Sequence, residues 1–142
     1  MNFTTSLRDI IVDTVRAPGV PNAECICLRA IDYVDTTNLG MMIGYRIPNG
    51  TVTPLRDRLF WFGGTYLPPN TQINLFTGEG AYNMSELGNG SYLHNMFWGQ
   101  PFTVFNSSEI VPILFRVQHA NIGTAPSPIA LPYLDEVLRS PR

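Results

Sequence analysis

The chain contains no lysine: all nine of its basic residues are arginines, set against eleven acids in 142 residues. A phosphate-binding loop of the Walker type is thereby excluded, because its lysine must reach the β and γ phosphates. Only 14% of residues are charged and the net charge is −2, so there is no general field for nucleic acid, although a local arginine cluster could hold a phosphate or a carboxylate. No apolar run approaches the ~20 residues that a membrane helix requires. The start, Met1-Asn2-Phe3-Thr4-Thr5-Ser6, lacks the basic residues and apolar stretch of a signal peptide. A cytoplasmic location is therefore expected, with secretion the alternative if a signal has been removed. Asn-x-Ser/Thr triplets at Asn2, Asn49, Asn83, Asn89 and Asn106 are what a chain rich in Asn, Ser and Thr turns collects by accident. They would matter only for a secreted or surface-displayed structural subunit.

Cysteine and histidine are equally sparse. Cys25 and Cys27 are the only cysteines and His94 and His119 the only histidines. At i, i+2 on a strand the two thiols share a face with Cα atoms ~6.6–6.8 Å apart, which strains any bond between them. The reading is two buried thiols in a core-facing strand. Zinc needs about four ligands and the histidines are not spaced to complete a set, so no metal or other cofactor is expected. No Gly-x-Ser-x-Gly elbow and no His-Glu-x-x-His occurs. The acid pairs Asp32/Asp35 and Asp135/Glu136 fall in turn or helix contexts that favour solvation. Cysteine–histidine catalysis would need a proximity that sequence does not show. A non-catalytic protein is expected.

What the chain does have is punctuation. Twelve prolines and twelve glycines leave little room for long helices. Between them lie short runs rich in Val, Ile, Phe, Tyr and Thr, the pattern of an all-β sandwich or barrel. Strands are predicted at 9–16, 24–30, 41–47, 58–62, 72–76, 103–105 and 110–117. "ECICLRA" sets Ile26 and Leu28 against Cys25, Cys27 and Arg29, and "QINLF" sets Ile73 and Leu75 against Asn74. The segment "SLRDIIVDTVRAPG" also fits a helical face through Leu7, Ile10, Ile11 and Val15, with Ser6 as N-cap. Its β-branched run and the Pro18-Gly19 stop favour a strand.

Glycine-rich "TGEG" (Thr77-Gly78-Glu79-Gly80) follows a strand, as phosphate loops do. A dinucleotide fingerprint needs three glycines opening a helix, whereas "GEGAYNMSELGNGSY" continues as a turn-rich loop with Gly88 and Gly90. It is read as a turn.

Aromatic residues carry the stronger signal. On a strand Phe60 and Phe62 share one face and Trp61 takes the other. If the two phenylalanines fill the core, Trp61 looks outward between Arg56 and Arg58, and Trp and Arg dominate binding hot spots. The competing reading is that 81–95 or the C-terminal segment covers Trp61. Trp98 is expected in the core. Arg46, Arg56 and Arg58, on or beside two possibly adjacent strands, form the alternative, a weak and salt-sensitive nucleic-acid surface.

Beyond residue 119 the chain changes character. Residues 120–131 are Pro-rich and extended, and residues 132–142 suit a short helix. Pro132 fits its first position, Asp135 and Glu136 lie near the positive end of the dipole, and Pro141 stops it. Leu134, Val137 and Leu138 fall at i, i+3 and i+4 on one face. So short a helix is marginal alone, and its apolar stripe must dock on the parent domain or in a partner's groove.

Taken together, Leu67-Pro68-Pro69, Thr77-Gly78-Glu79-Gly80, Trp98-Gly99, Phe105-Asn106 and the final apolar strand at 110–117 resemble the lamin-tail-type domain, an immunoglobulin-like β-sandwich also found in bacterial proteins. "DIIVDTVRAPGVPNAECICLRA" is similar to the family's first hairpin, with Glu24 where an acid often precedes the strand. Two positions depart from the family: Leu39-Gly40-Met41-Met42 stands for Leu-x-Gly-Trp, and Ser108-Glu109 for Gly-Asp. The resemblance spans 10–117. It implies that Thr-Gly-x-Gly is a structural turn whose glycine permits a positive φ, and a non-catalytic module for binding proteins, sometimes DNA or membrane-associated partners. None of that family's binding residues has a matching position here.

The expectation is thus an immunoglobulin-like sandwich over 8–119, a linker over 120–131 and a helical tail over 132–142. It would act as a protein-interaction module through Trp61, the arginines Arg46, Arg56 and Arg58, and the tail residues Leu134, Val137 and Leu138. Its partner would be another protein or a second copy, joined by a strand edge or by tail docking.

Overall fold

The computed structural model describes residues 6–88 and 90–126, the side chains of Arg56 and Asp57 excepted. The helix expected over 132–142 and residues 127–131 of the linker before it lie outside the described residues. Within them the protein is all-β, with ten strands and no helix: β1 (Ile10–Arg16), β2 (Cys25–Ala30), β3 (Val34–Asp35), β4 (Leu39–Arg46), β5 (Val52–Trp61), β6 (Tyr66–Leu67), β7 (Gln72–Phe76), β8 (Asn83–Gly88), β9 (Ser91–Phe97) and β10 (Ile110–Arg116). They form a five-stranded sheet in the order β1-β2-β7-β9-β8, a three-stranded sheet β10-β4-β5 and a small β3-β6 ribbon. The ambiguous N-terminal segment is a strand, as its β-branched run favours.

Alternation in β2, β7 and β4 builds the core. Ile26, Leu28, Ile73 and Leu75 of the large sheet meet Leu39, Met41, Ile43 and Phe62 of the small one in a single buried cluster, an arrangement consistent with a β-sandwich. Each fully buried Ile or Leu contributes roughly 1.5–3 kcal/mol relative to an exposed one. Phe60 is half-buried and meets Phe62 edge-on at 5.1 Å, so both phenylalanines face inward as predicted.

At one end the core is closed by a charge. Glu24 is 1% exposed. Its carboxylate accepts from the Gly19 N–H (2.7 Å), the Thr77 hydroxyl (2.6 Å), the Val104 N–H (2.6 Å) and the Phe105 N–H (2.8 Å). The Thr77 N–H in turn donates to the Glu24 carbonyl at 3.1 Å. One side chain therefore ties together the β1–β2 connection, the end of β7 and the loop that follows β9. Burial by itself would raise the Glu24 carboxyl. The hydrogen bonds from Thr77, Val104, Gly19 and Phe105 outweigh it and hold the group below its ordinary value of 4.5.

This clamp explains two departures from the sequence reading. Residues 103–105 are not a strand, because the N–H groups of Val104 and Phe105 turn toward Glu24 instead of a neighbouring strand. Phe105 is nevertheless buried, at 6% exposure. In the Thr-Gly-x-Gly stretch neither Gly78 nor Gly80 has a positive φ. Glycine is required at 80 for space: a Cβ there would stand 2.3 Å from the Phe97 ring.

A third departure concerns the segment from 81 to 95, read as a turn-rich loop. It is the β8–β9 hairpin, with β9 parallel to β7 and β8 at the edge of the sheet. All six residues of β8 are exposed, so the segment has no buried face to impose an apolar alternation.

Glu24→Gln should destabilise the protein by about 3 kcal/mol at neutral pH, since an amide can accept from only part of the donor set. Because the folded carboxyl titrates below the unfolded one, its stabilisation is complete above the unfolded value and is lost as pH falls through the folded one. Urea unfolding between ~pH 6 and ~pH 3 should therefore show a fall in stability that the variant loses in large part. An equal fall in both proteins would assign the acid sensitivity elsewhere.

Candidate interaction surfaces

The outer sides of the two sheets differ in composition. Residues paired across a ladder point to one side, so the outer side of the large sheet can be read from its registers. It carries Cys25, Cys27, Asn74, Asn95 and Asn83. The Asn74 amide donates to Asn95 at 3.2 Å, and the Asn95 amide to Asn83 at 2.9 Å. Arg29 pairs with Asp13 at 3.2 Å on the same sheet. The same side also carries Phe76 and Phe97, whose rings stack at 5.2 Å, so a polar ladder lies beside an aromatic pair.

The thiols thus point away from the core, which Ile26 and Leu28 face. Cys25 is buried beneath the sheet's own outer side chains and Cys27 is half-buried. Their sulfurs lie 3.9 Å apart, and the Arg16 guanidinium reaches the Cys25 sulfur at 3.8 Å. Burial, with the Cys27 thiol second, pushes the Cys25 thiol up to about 12. It stays protonated at neutral pH, the unreactive form.

The outer side of the small sheet is apolar. Phe115 of β10 and Trp61 of β5 stand on either side of Gly40, and Ile113 and Leu59 on either side of Met42. The Trp61 and Phe115 rings meet edge-on at 5.5 Å. Two glycines of β4 make this possible. A Cβ on Gly40 would lie 2.5 Å from the Phe115 ring, and one on Gly44 would lie 2.5 Å from Ile113. The flanking side chains therefore lie flat across the central strand. Trp61 is 49% exposed and Leu59 48%. An exposed aromatic and aliphatic pair on a continuous apolar sheet face is the usual composition of an interface core.

The two predicted arginines whose side chains are described, Arg46 and Arg58, stand apart. Arg46 is exposed at the end of β4, opposite Val52. Arg58 is half-buried and donates to the Gln100 side chain. It adjoins Leu59, whose partner Met42 is four residues from Arg46 along β4, or roughly 13 Å of strand. The side chain of Arg56 and the tail residues Leu134, Val137 and Leu138 lie outside what the structure describes. Residues 81–95, one suggested cover for Trp61, lie mostly in β8 and β9 of the other sheet.

A cleft of about 370 Å³ opens between Phe60 and Phe62 of the small sheet and Tyr82, His94 and Met96 of the large one. His94 is 9% exposed, its Nδ1 lies 2.6 Å from the Tyr82 hydroxyl, and burial lowers its pKa and keeps it neutral. Among the described residues neither histidine hydrogen-bonds a cysteine or an acid, and His119 is exposed. Trp98 is half-buried against the core, with its indole N–H buried and unpartnered. Among the described residues no group of three or more His, Cys, Asp or Glu side chains could hold a metal ion, and no helix is long and apolar enough to cross a membrane.

Compared with known proteins, the chain matches no family model, no curated protein and no solved structure.

Strand alternation in the sequence set Trp61 on the side of β5 opposite Phe60 and Phe62, but gave no sign of Leu59 and Phe115 beside it. The signal lay in the spacing Gly40-x-x-x-Gly44, which on a central strand marks close passage of neighbouring side chains. Gly40→Ala should cost about 1–3 kcal/mol by driving into the Phe115 ring. Trp61→Ser should change stability by about 1 kcal/mol or less, since half of its surface is already in water. Paired urea titrations would check the contrast, and a larger loss at Trp61 than at Gly40 would contradict it.

Proposed function

We propose that this chain is a non-catalytic protein-interaction module on an immunoglobulin-like, lamin-tail-type sandwich, and that it binds through the outer side of the three-stranded sheet. The observation that carries this reading is the half-exposed Trp61–Leu59 pair on an apolar face made continuous by Gly40 and Gly44. Leaving such a surface in water is costly at roughly 25 cal/mol per Å², and a protein partner removes that cost. The resemblance of 10–117 to the lamin-tail type points the same way, as does the protonated, buried state of Cys25. The nucleic-acid alternative is weaker, because Arg58 is engaged by Gln100 and stands apart from Arg46.

The test is affinity capture with the full chain, with and without nuclease, comparing the wild type with Leu59→Asp/Trp61→Asp. The reading expects a protein to be captured by the wild type at a level unaffected by nuclease. The double variant should lose at least about tenfold of it, as expected for hot-spot residues. Thermal unfolding of both proteins checks that the variant is folded. Capture abolished by nuclease and indifferent to the double substitution would overturn the reading in favour of the arginines.

A further inference from the structure

The apolar face lies where the chain leaves the fold. β10 ends at Arg116, and the Val117 N–H still donates to the Asn38 carbonyl at 2.9 Å. One residue earlier, Phe115 stands opposite Gly40, with Trp61 on the far side of that glycine. The exit is therefore at the Trp61–Phe115 end of the small sheet, on a strand that flanks the exposed pair. From there residues 118–126 run exposed along the surface, and 16 further residues of this sequence follow. Among those, Leu134, Val137 and Leu138 recur at the spacing of one helical face, between Pro132 and Pro141.

We infer that this segment, 132–138, is the resident cover of the Trp61–Leu59 face. The inference rests on the reading of that face as a docking surface. Reach is no obstacle: Leu134 lies seventeen positions after Val117, up to ~56 Å of extended chain at ~3.3 Å per step. The face is three strands wide, or roughly 14 Å at ~4.8 Å per strand. What selects the chain's own tail over a second copy is concentration. A tether of this length presents its end at an effective concentration on the order of 1 mM, whereas a second copy arrives at its bulk concentration, commonly micromolar. With a modest intrinsic Kd of ~0.1 mM, a tethered segment covers the face in about nine molecules of ten. A foreign partner must then displace the tail, so its apparent affinity falls about tenfold.

Two measurements on the full chain test this. In the first, Trp98→Phe leaves Trp61 as the sole tryptophan, and acrylamide quenching is compared with and without Leu134→Asp/Val137→Asp/Leu138→Asp. The tail substitutions should raise the quenching constant about twofold as the indole returns to water. In the second, which does not require the Trp98 substitution, Leu138→benzoylphenylalanine is irradiated in dilute protein. A crosslink within one chain to the peptide carrying Trp61 or that carrying Phe115 is expected. Unchanged quenching together with crosslinks only to other regions would overturn the inference. So would crosslinks to the face that join two chains, which would make a second copy the occupant. The two readings fail separately. Partner capture that survives Leu59→Asp/Trp61→Asp alongside an intrachain crosslink would end the interaction reading and leave the tail in place. Capture lost in that variant without any crosslink to the face would do the reverse.

Discussion

The Glu24 carboxylate is the constraint on which the described fold depends most. Four donors from three separate parts of the chain converge on one buried side chain. A carboxylate is expensive to bury unless its oxygens are fully engaged, and here they are. The arrangement works in both directions. Glu24 keeps its charge because Thr77, Val104, Gly19 and Phe105 donate to it, and those backbone groups can leave water because it accepts from them. Loop 98–109 consequently crosses the end of the two sheets without a strand of its own, and still delivers Phe105 to the core.

With that end closed, the two sheets are free to differ. The large sheet covers part of its outer surface with internal hydrogen bonds, through the Asn74–Asn95–Asn83 ladder and the Arg29–Asp13 pair, beside the stacked Phe76 and Phe97. The small sheet does not. Its central strand carries glycine at 40 and 44, and its neighbours fold Phe115 and Ile113 across the gap. The result is an apolar face with an exposed tryptophan, which polar groups do not complete. The same contrast locates the chemistry. The thiols and the asparagine ladder belong to the outer side of the large sheet. The half-exposed Trp61 and Leu59 stand on the outer side of the small one, next to the point where the chain departs.

Much of this was legible in sequence wherever burial imposes a period. "ECICLRA" and "QINLF" alternate because one side of each strand meets the core, and Ile26, Leu28, Ile73 and Leu75 are all buried. Phe60, Trp61 and Phe62 obeyed the same rule, which placed Trp61 outside. The rule fails where a strand has no buried side. β8 is exposed throughout, so Asn83 to Gly88 reads as a loop although its backbone pairs with β9. It fails again at 103–105, whose apolar character is real but whose N–H groups are taken by a carboxylate eighty residues away in sequence.

Sequence by itself determined the all-β class, the inward and outward sides of the core strands, and the absence of a lysine-dependent phosphate loop. Each follows from short-range pattern or composition, which any single strand carries within itself. Tertiary structure alone decided that Glu24 gathers three segments, that the thiols face away from the core, and that Gly40 lies between Phe115 and Trp61. These depend on register between strands far apart in the chain. A one-residue slip would send every side chain to the opposite side, and no local pattern encodes the pairing that prevents it.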